Sequence, residues 1–201
     1  MANILASTGG TRNAKGQGNF FTANDGSTFN LPDLHGYEEK IAHLQRCLSR
    51  KQKGSNAYAK ARTKLSNYVE RVQNIKKDAQ NKLVHELVNT YSHIAVEHLS
   101  TKSMVRKAKK EKAKRRAILR YSNYDIRIAI ERKAFDFRMT PKYFASSQIC
   151  SNCGTVHIEM KDDKIRTLKC SCGGGFVIDR DLNAAINILN KVFKAQLAKN
   201  K

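Results

Sequence analysis

Acidic residues and long hydrophobic runs are what this 201-residue sequence has least of. Aspartate and glutamate number 17 against 38 lysines and arginines, so the formal net charge is +21. This excess of positive charge is far larger than solubility requires. It indicates a polyanionic partner, and nucleic acid is the partner we expect. A generic basic protein with a solvated surface, such as a ribosome-associated protein, would have a similar bulk charge.

The sequence also shows no membrane or secretion signal. No window approaches the roughly 18 apolar residues of a membrane span. The start, MANILASTGG, has neither the charged beginning nor the apolar centre of a signal peptide. We therefore expect a protein that does not enter a membrane and that is cytoplasmic, or nuclear if the cell has a nucleus.

Cysteine is scarce and unevenly placed. Of the five cysteines, four lie within a window of 23 residues and Cys47 stands alone. An odd count with this clustering argues against a secreted disulfide scaffold. Cys47 falls within an apolar stripe, where a packed core residue is expected.

The middle of the chain has helical and strand patterns. Apolar residues recur at helical spacing over 37–48 and again over 58–87, which predicts two basic amphipathic helices, the second of them long. The apolar run SHIAVEHL follows at residues 92–99. It predicts a buried strand with the lone acid Glu97 near its exit.

The remaining segments are less regular. The run from Lys102 to Arg116 contains nine basic residues and one acid, which predicts a solvated, phosphate-facing loop or helix start. Residues 117–137 are predicted to form a helix, residues 142–148 an extended segment, and the chain ends in a helix that an acid pair opens. Residues 1–36 are expected to be irregular, with a strand and an NDG turn near their end.

The clustered cysteines have the spacing of a metal site. Cys150 and Cys153 are followed, after sixteen residues, by Cys170 and Cys172. Four thiolates in two pairs suit the closed tetrahedral sphere of structural zinc, although the second pair is one residue shorter than usual. The alternatives are four unrelated buried cysteines, or a site in which His157 replaces one of them.

Three acids are candidates for a second metal. Glu97 at a strand end, with Asp179 and Asp181 entering a helix, have the chemistry to bind Mg²⁺, which prefers few carboxylates plus water and substrate phosphate. Aspartate at a helix start is also an ordinary N-cap. Asp179 is the better candidate for the cap and Asp181 for the ligand, and spacing alone does not separate the two readings.

Several motifs in one order resemble a known family. The segments RCLSRKQKGSNAYAKARTKLSNYVERVQN, IAVEHL, SSQICSNCG, CSCG and DRDLNAAINI are similar to the C-terminal half of TnpB, also called the OrfB transposase, which is related to compact type V CRISPR effectors. The resemblance covers roughly residues 20–189. It implies an α/β fold of RuvC-like, RNase H type with strand acids that bind Mg²⁺, interrupted by a zinc ribbon, within an RNA-guided DNA endonuclease.

The resemblance assigns roles by position. Glu97 matches the second catalytic acid of the family, and Asp181, more than Asp179, matches the third. The four cysteines match the ribbon's zinc ligands. The first catalytic aspartate has no match, because residues 1–24 contain no Asp or Glu, and a gapless alignment places Ala14 where that aspartate is expected. Asp25 is a possible substitute, but it lies in a predicted turn.

The family's N-terminal portion, which is expected to grip guide RNA and target DNA, is also missing, so the chain resembles a truncated member. The expected division is an irregular remnant of the first RuvC-like segment (1–36), a RuvC-like core with long helices and a basic loop (37–145), the zinc ribbon (146–176), and a last RuvC-like segment with the C-terminal helix (177–201).

Three functional readings follow. The favoured one is a module that binds DNA and guide RNA with impaired or no cleavage. The second is an active Mg²⁺-dependent nuclease, and the third is an inactive transposon remnant. The candidate nucleic-acid contacts are Arg46, Arg50, Lys51, Lys53, Arg62, Lys107, Lys109, Lys110, Arg115 and Arg116.

Overall fold

A five-stranded sheet with helices on both faces forms the centre of the protein. The computed structural model describes residues 4–9, 21–112, 115, 118, 123–162 and 164–194. The strands of the sheet are β1 (Ile4–Gly9), β2 (Phe21–Thr22), β3 (Thr28–Phe29), β4 (His93–Val96) and β5 (Asp136–Met139). Their order is β3-β2-β1-β4-β5. Strand β1 is parallel to β4, β4 is parallel to β5, and β2 is antiparallel to both of its neighbours.

The described residues also form α-helices. They are α1 (His35–Ser49), α2 (Asn56–Thr90), α3 (Thr101–Lys107), α4 (Asn123–Lys133) and α5 (Arg180–Leu189), which a π-helical segment, Asn190–Lys194, extends. None of the helices among the described residues is long and apolar enough to cross a membrane.

Strand β4 is buried on both faces because helices cover the sheet from both sides. Ile94 packs in a core with Leu87 of α2 and Ile130 of α4. On the other face, Ala95 packs with Ile188 of α5. Parallel strands that are covered on both faces have sequences of consecutive apolar residues. The run around IAV is therefore strand, and the predicted mixed α/β class is confirmed.

Helix α2 is much longer than the sheet that it covers. It contains 35 residues, which corresponds to a length of about 52 Å. Ser55 caps it by accepting a hydrogen bond from the Tyr58 amide at 3.1 Å. Its buried residues are Val72, Leu83, Val84 and Leu87, so the first half contributes Val72 alone. That half pairs with α1, where the Tyr37 and Tyr68 rings lie 6.4 Å apart.

A small ribbon precedes α5. Strands β6 (Thr167–Cys170) and β7 (Phe176–Asp179) form an antiparallel pair, and two short 3-10 turns, Ile158–Lys161 and Cys172–Gly174, flank β6. The ribbon has its own small core, in which Met160 and Leu168 pack with the cysteines.

Three sequence-based predictions of local structure differ from the fold. Residues 1–36 include strand β1, which the irregular composition did not indicate. The helix predicted over 117–137 ends at Lys133, because Phe137 lies in β5, which pairs with β4 and packs against the main core. The predicted extended segment at 142–148 consists of turns and coil.

Candidate functional site

Glu97 directly follows β4, at the carboxyl end of the strand. The Ser146 hydroxyl donates a hydrogen bond to its Oε1 at 3.3 Å. Burial raises the pKa of the Glu97 carboxyl, whereas the Ser146 hydrogen bond and the positive charge of Arg180 oppose the rise. Because burial penalises the charged form, a cation bound here would stabilise the ionised carboxylate.

The two acids at the start of α5 have different environments. Asp179 is exposed, and its Oδ1 accepts hydrogen bonds from the amides of Asp181 at 2.8 Å and Leu182 at 3.2 Å. It is therefore the N-cap of α5, the role that the sequence favoured for Asp179 over Asp181. The Asp181 side chain is only 14% exposed and forms an ion pair with Arg166 of the ribbon. Sequence spacing did not single out Arg166.

The carboxyl end of β4 and the first turn of α5 lie at the same edge of the sheet. Helix α5 packs against β1 and β4. The charge of Arg180, which precedes Asp181, acts on the Glu97 carboxyl. Two partly buried carboxylates at one sheet edge, on separate elements, have the ligand chemistry of a site for a hard divalent cation.

Strand β1 lies beside β4, the strand that Glu97 follows. In the parallel ladder Ser7 is opposite Val96, so continuing the register sets Thr8 opposite Glu97. The strand sequence, ILASTG, contains no acid. Ala14, which the gapless alignment selects, lies outside the described residues.

Asp25 lies at the other end of the sheet. It is in the turn between β2 and β3, where Oδ1 accepts from the Ser27 amide at 2.8 Å and Oδ2 accepts from the Tyr91 hydroxyl at 3.0 Å. Tyr91 precedes β4, whereas Glu97 follows it. Six residues of extended chain span about 20 Å. Asp25 is therefore too far along β4 to act with Glu97.

The four predicted cysteine ligands come together. Their sulfur atoms all lie within 4.8 Å of one another. The Sγ atoms of Cys150 and Cys172 are 3.8 Å apart, and those of Cys153 and Cys170 are 3.6 Å apart. A tetrahedron of Zn–S bonds of about 2.3 Å has edges of about 3.8 Å, so the sulfurs fit a single ion of this size.

The cysteine cluster has two thiols with strongly different acidities. The Thr155 hydroxyl lies 3.1 Å from Cys153 Sγ and is the main cause that lowers the pKa of this thiol to about 6. A backbone hydrogen bond from Cys172 lowers the pKa of Cys170, but burial and the adjacent thiols outweigh it and raise that pKa to about 12. The remaining candidate, His157, forms a hydrogen bond through Nδ1 with the Glu159 carboxylate at 2.9 Å.

Two asparagines of α5 fasten the ribbon segment to the helix. The side chain of Asn183, fully buried, accepts from the Ser151 amide at 2.9 Å and donates to the Ile149 carbonyl at 2.7 Å. Asn187 donates to the carbonyls of Ser146 at 2.9 Å and Ile149 at 2.6 Å. Sequence reasoning missed both, although two asparagines four residues apart on an apolar helix are an unusual pattern.

The predicted basic residues fall into two separate groups. The first group lies on α1, on the α1–α2 connection and near the start of α2, and all of its members are exposed: Arg46, Arg50, Lys51, Lys53 and Arg62. Arg62, the member of this group on α2, lies about 32 Å along that helix from Leu83, which packs on the sheet.

The second group follows Glu97 in the chain. Its described and exposed members are Lys109, Lys110 and Arg115. The side chain of Lys107 and the whole of Arg116 lie outside the described residues. The two groups thus belong to different elements, the first to α1, α2 and their connection, and the second to the end of α3 and the segment after it.

Comparisons with known proteins agree with this arrangement. The profile of the OrfB_IS605 family, "Probable transposase", matches residues 19–120. The "Cas12f1-like, TNB domain" profile matches residues 126–188, which include the ribbon and most of α5.

Two curated proteins are similar in sequence. A "Putative RNA-guided DNA endonuclease" of Streptomyces pristinaespiralis is 32% identical over 154 residues, which are 75% of this chain and 37% of that protein. The "Putative RNA-guided DNA endonuclease InsQ" of Escherichia coli is 28% identical over 186 residues, 84% of this chain and 45% of that protein. The chain thus spans less than half the length of these relatives.

One solved structure has a similar fold. It is described as "Cryo-EM structure of the Cas12f1-sgRNA-target DNA complex", and the TM-score is 0.55 at 17% sequence identity. The similarity covers 96% of this chain and 49% of that one.

Proposed function

Since the chain belongs to the OrfB_IS605 (TnpB) family of transposases, we propose that it binds DNA and guide RNA through a RuvC-like domain and a zinc ribbon, with impaired or no nuclease activity. The observation that carries this proposal is the acid content of the sheet edge. Glu97 and Asp181 are present there, but β1, the strand beside Glu97, contains no Asp or Glu.

The RuvC-like assignment draws support from the strand order. A β3-β2-β1-β4-β5 sheet, antiparallel only at β2, together with a closing helix on β1 and β4, has the topology expected for an RNase H-type domain. In this domain the first and second acids belong on β1 and after β4. The domain division at residues 36, 145 and 176 is part of the proposal.

The loss of one acid explains why cleavage would be impaired. Two-metal hydrolysis uses carboxylates to hold two ions about 4 Å apart around the scissile phosphate. Glu97 and Asp181 would supply ligands to Mg²⁺, but no acid of β1 bridges the ions. Removing one preorganised electrostatic contact of this kind costs on the order of 10²–10³ in rate.

The net charge of the chain and the descriptions of its relatives support DNA and guide RNA as the proposed partners. The formal net charge of +21 provides the electrostatic attraction for phosphate backbones. Both curated relatives are described as putative RNA-guided DNA endonucleases, and the structural neighbour is a complex with sgRNA and target DNA. We assign phosphate contacts to the two exposed basic groups defined above.

In the ribbon, zinc is the proposed ion. Four thiolates with tetrahedral sulfur spacing suit Zn²⁺ and leave no open coordination position. The metal would therefore hold the fold of the ribbon and take no part in hydrolysis.

The binding proposal can be tested by fluorescence anisotropy with labelled DNA and RNA at several salt concentrations. The logarithm of the affinity should fall linearly with the logarithm of salt concentration. Arg62→Ala should weaken binding and reduce the salt slope by about 1. Lys82→Ala is the matched control, because this exposed lysine of α2 is paired with Asp78 at 2.8 Å. Weak binding that does not respond to salt would refute the proposal.

A second candidate function is Mg²⁺-dependent DNA cleavage, which the convergence of Glu97 and Asp181 favours. Purified protein with guide RNA and Mg²⁺ or Mn²⁺ should then cut labelled DNA, and Glu97→Gln should abolish the cutting. If neither the wild-type protein nor Glu97→Gln cuts the DNA, binding remains the proposed function. A chain that stays disordered by circular dichroism after zinc is added would instead be an inactive remnant.

A further inference from the structure

A short loop leaves β5 and returns to Glu97. At its start, the buried Thr140 hydroxyl accepts a hydrogen bond from the His98 amide at 3.3 Å. At its end, the buried Ser146 donates to Glu97 at 3.3 Å. Both ends of the loop 140–146 are thus fixed beside the candidate acid site, and residues 141–143 between them are exposed.

Tyr143 is at the middle of this loop and has an unfavourable backbone conformation. Its φ is +66°, and within the described ranges it is the one non-glycine residue with positive φ. It is the third residue of a turn in which the Phe144 amide donates to the Pro141 carbonyl at 3.2 Å. Bulky side chains rarely adopt positive φ, and such conformations concentrate at functional sites.

The Tyr143 ring is presented to solvent with a cation beside it. The residue is 85% exposed. The ammonium of Lys142 lies 5.2 Å from the ring centroid. An exposed aromatic face next to a positive charge is the combination on which proteins stack the bases of single-stranded nucleic acids. Duplex DNA does not offer this contact, because its base faces are covered by neighbouring base pairs.

The position of Tyr143 in the loop limits how far a base stacked on its ring can lie from Glu97. Tyr143 is three positions along the chain from Thr140 and from Ser146, so its Cα lies within about 10 Å of the Cα of each. At about 3.4 Å per stacked base, that distance corresponds to about three nucleotides. We infer that Tyr143 stacks on a base of single-stranded DNA within about three nucleotides of the phosphate at the Glu97 edge. This inference rests on the proposed function.

The absence of tryptophan from the sequence allows a direct test. In the zinc-loaded Tyr143→Trp protein, the new indole is the sole tryptophan, and stacking on oligothymidine of about 16 nucleotides should quench its fluorescence. Phe135→Trp is the matched control. Phe135 is 89% exposed and precedes β5, so it lies at the opposite end of that strand. Quenching that is equal in the two proteins, or absent at Tyr143→Trp, would overturn the inference.

A second variant separates stacking from a structural role. Tyr143→Gly removes the ring but accepts the positive φ, so its melting temperature should not fall. Its affinity for oligothymidine should fall about 5- to 150-fold, the loss expected for one stacked base. Tyr143→Phe should bind as the wild type does. The salt slope should stay unchanged in Tyr143→Gly, because the ring carries no charge.

The outcomes distinguish this inference from the proposed function. If the wild-type protein shows no salt-dependent binding to DNA, the proposed function fails and the inference fails with it. If the wild type binds and Tyr143→Gly binds equally well, only the inference fails. A loss of affinity confined to oligouridine RNA would overturn the assignment to DNA.

Discussion

The Asn183 side chain donates a hydrogen bond to the Ile149 carbonyl at 2.7 Å and so joins the buried face of α5 to the segment that begins the cysteine site. The same side chain accepts from the Ser151 amide at 2.9 Å. One amide therefore fixes the ribbon with its cysteine cluster against the helix whose first turn carries Asp181. The cysteine cluster and Asp181 lie close together in sequence, and these hydrogen bonds also connect the elements that carry them in the fold.

The first prediction concerns this coupling. Asn183→Ala leaves the Ser151 N–H without its partner, whereas the Ile149 carbonyl keeps its hydrogen bond from Asn187. One unsatisfied buried group costs about 1–3 kcal/mol, so the free energy of unfolding should fall by about 1–3 kcal/mol in urea titrations. Asn89→Ala, an exposed position on α2, should change it by no more than about 0.5 kcal/mol. Equal stability of Asn183→Ala and wild type would show that the amide does not fasten the ribbon.

The second prediction concerns the metal. The protein should contain one zinc ion per chain, measured with a chromophoric chelator after denaturation, and Cys150→Ser should contain little or none. Because the ribbon core is small, loss of the ion should also lower the melting temperature. Cys47→Ser is the control, since Cys47 lies outside the cluster. Retention of full zinc content by Cys150→Ser would contradict the proposed ligand set.

The third prediction concerns Glu97 and pH. Burial raises the pKa of Glu97 above 4.5, so the protonated carboxyl is the form that the folded state favours. Its stabilisation is complete below about pH 4.5 and is lost as the pH rises through the folded pKa. Glu97→Gln should therefore match wild type near about pH 4 and be the more stable protein near about pH 8.

Thermal unfolding at the two pH values measures this difference. Glu86→Gln, at an exposed position on α2, is the control and should show no such trend. Mg²⁺ should stabilise the wild type at the higher pH and leave Glu97→Gln unaffected. A wild-type protein that gains stability relative to Glu97→Gln as the pH rises would contradict the prediction.

The fourth prediction concerns the missing acid. The register of β1 and β4 sets Thr8 opposite Glu97. Thr8→Asp should therefore add the absent carboxylate and increase Mg²⁺-dependent cleavage of labelled DNA, by up to about 10²–10³-fold. The increase should disappear when Glu97→Gln is added. Ala14→Asp is the competing variant, and greater cleavage by it than by Thr8→Asp would show that the gapless alignment identifies the right position.

Features that depend on local spacing were predictable from the sequence. Periodicity along the chain predicts α1, α2 and the strand that ends before Glu97, since burial of one helical face repeats every three to four residues. The paired cysteines predict a metal site because few other structures require that spacing. The order of the motifs indicated the TnpB family, and the family profile confirms it.

Which distant segments meet depends on the packing of the folded chain. Strands β1 and β5 have weak local patterns and exist because each pairs with β4. The pairing of Arg166 with Asp181 and the placement of Asp25 away from Glu97 also depend on how separate elements pack. Contacts between residues far apart in the chain leave no periodic trace in the sequence, whereas the face that a helix buries repeats along it. The candidate acids were therefore visible in the sequence, but the strand that lacks their partner was visible only in the fold.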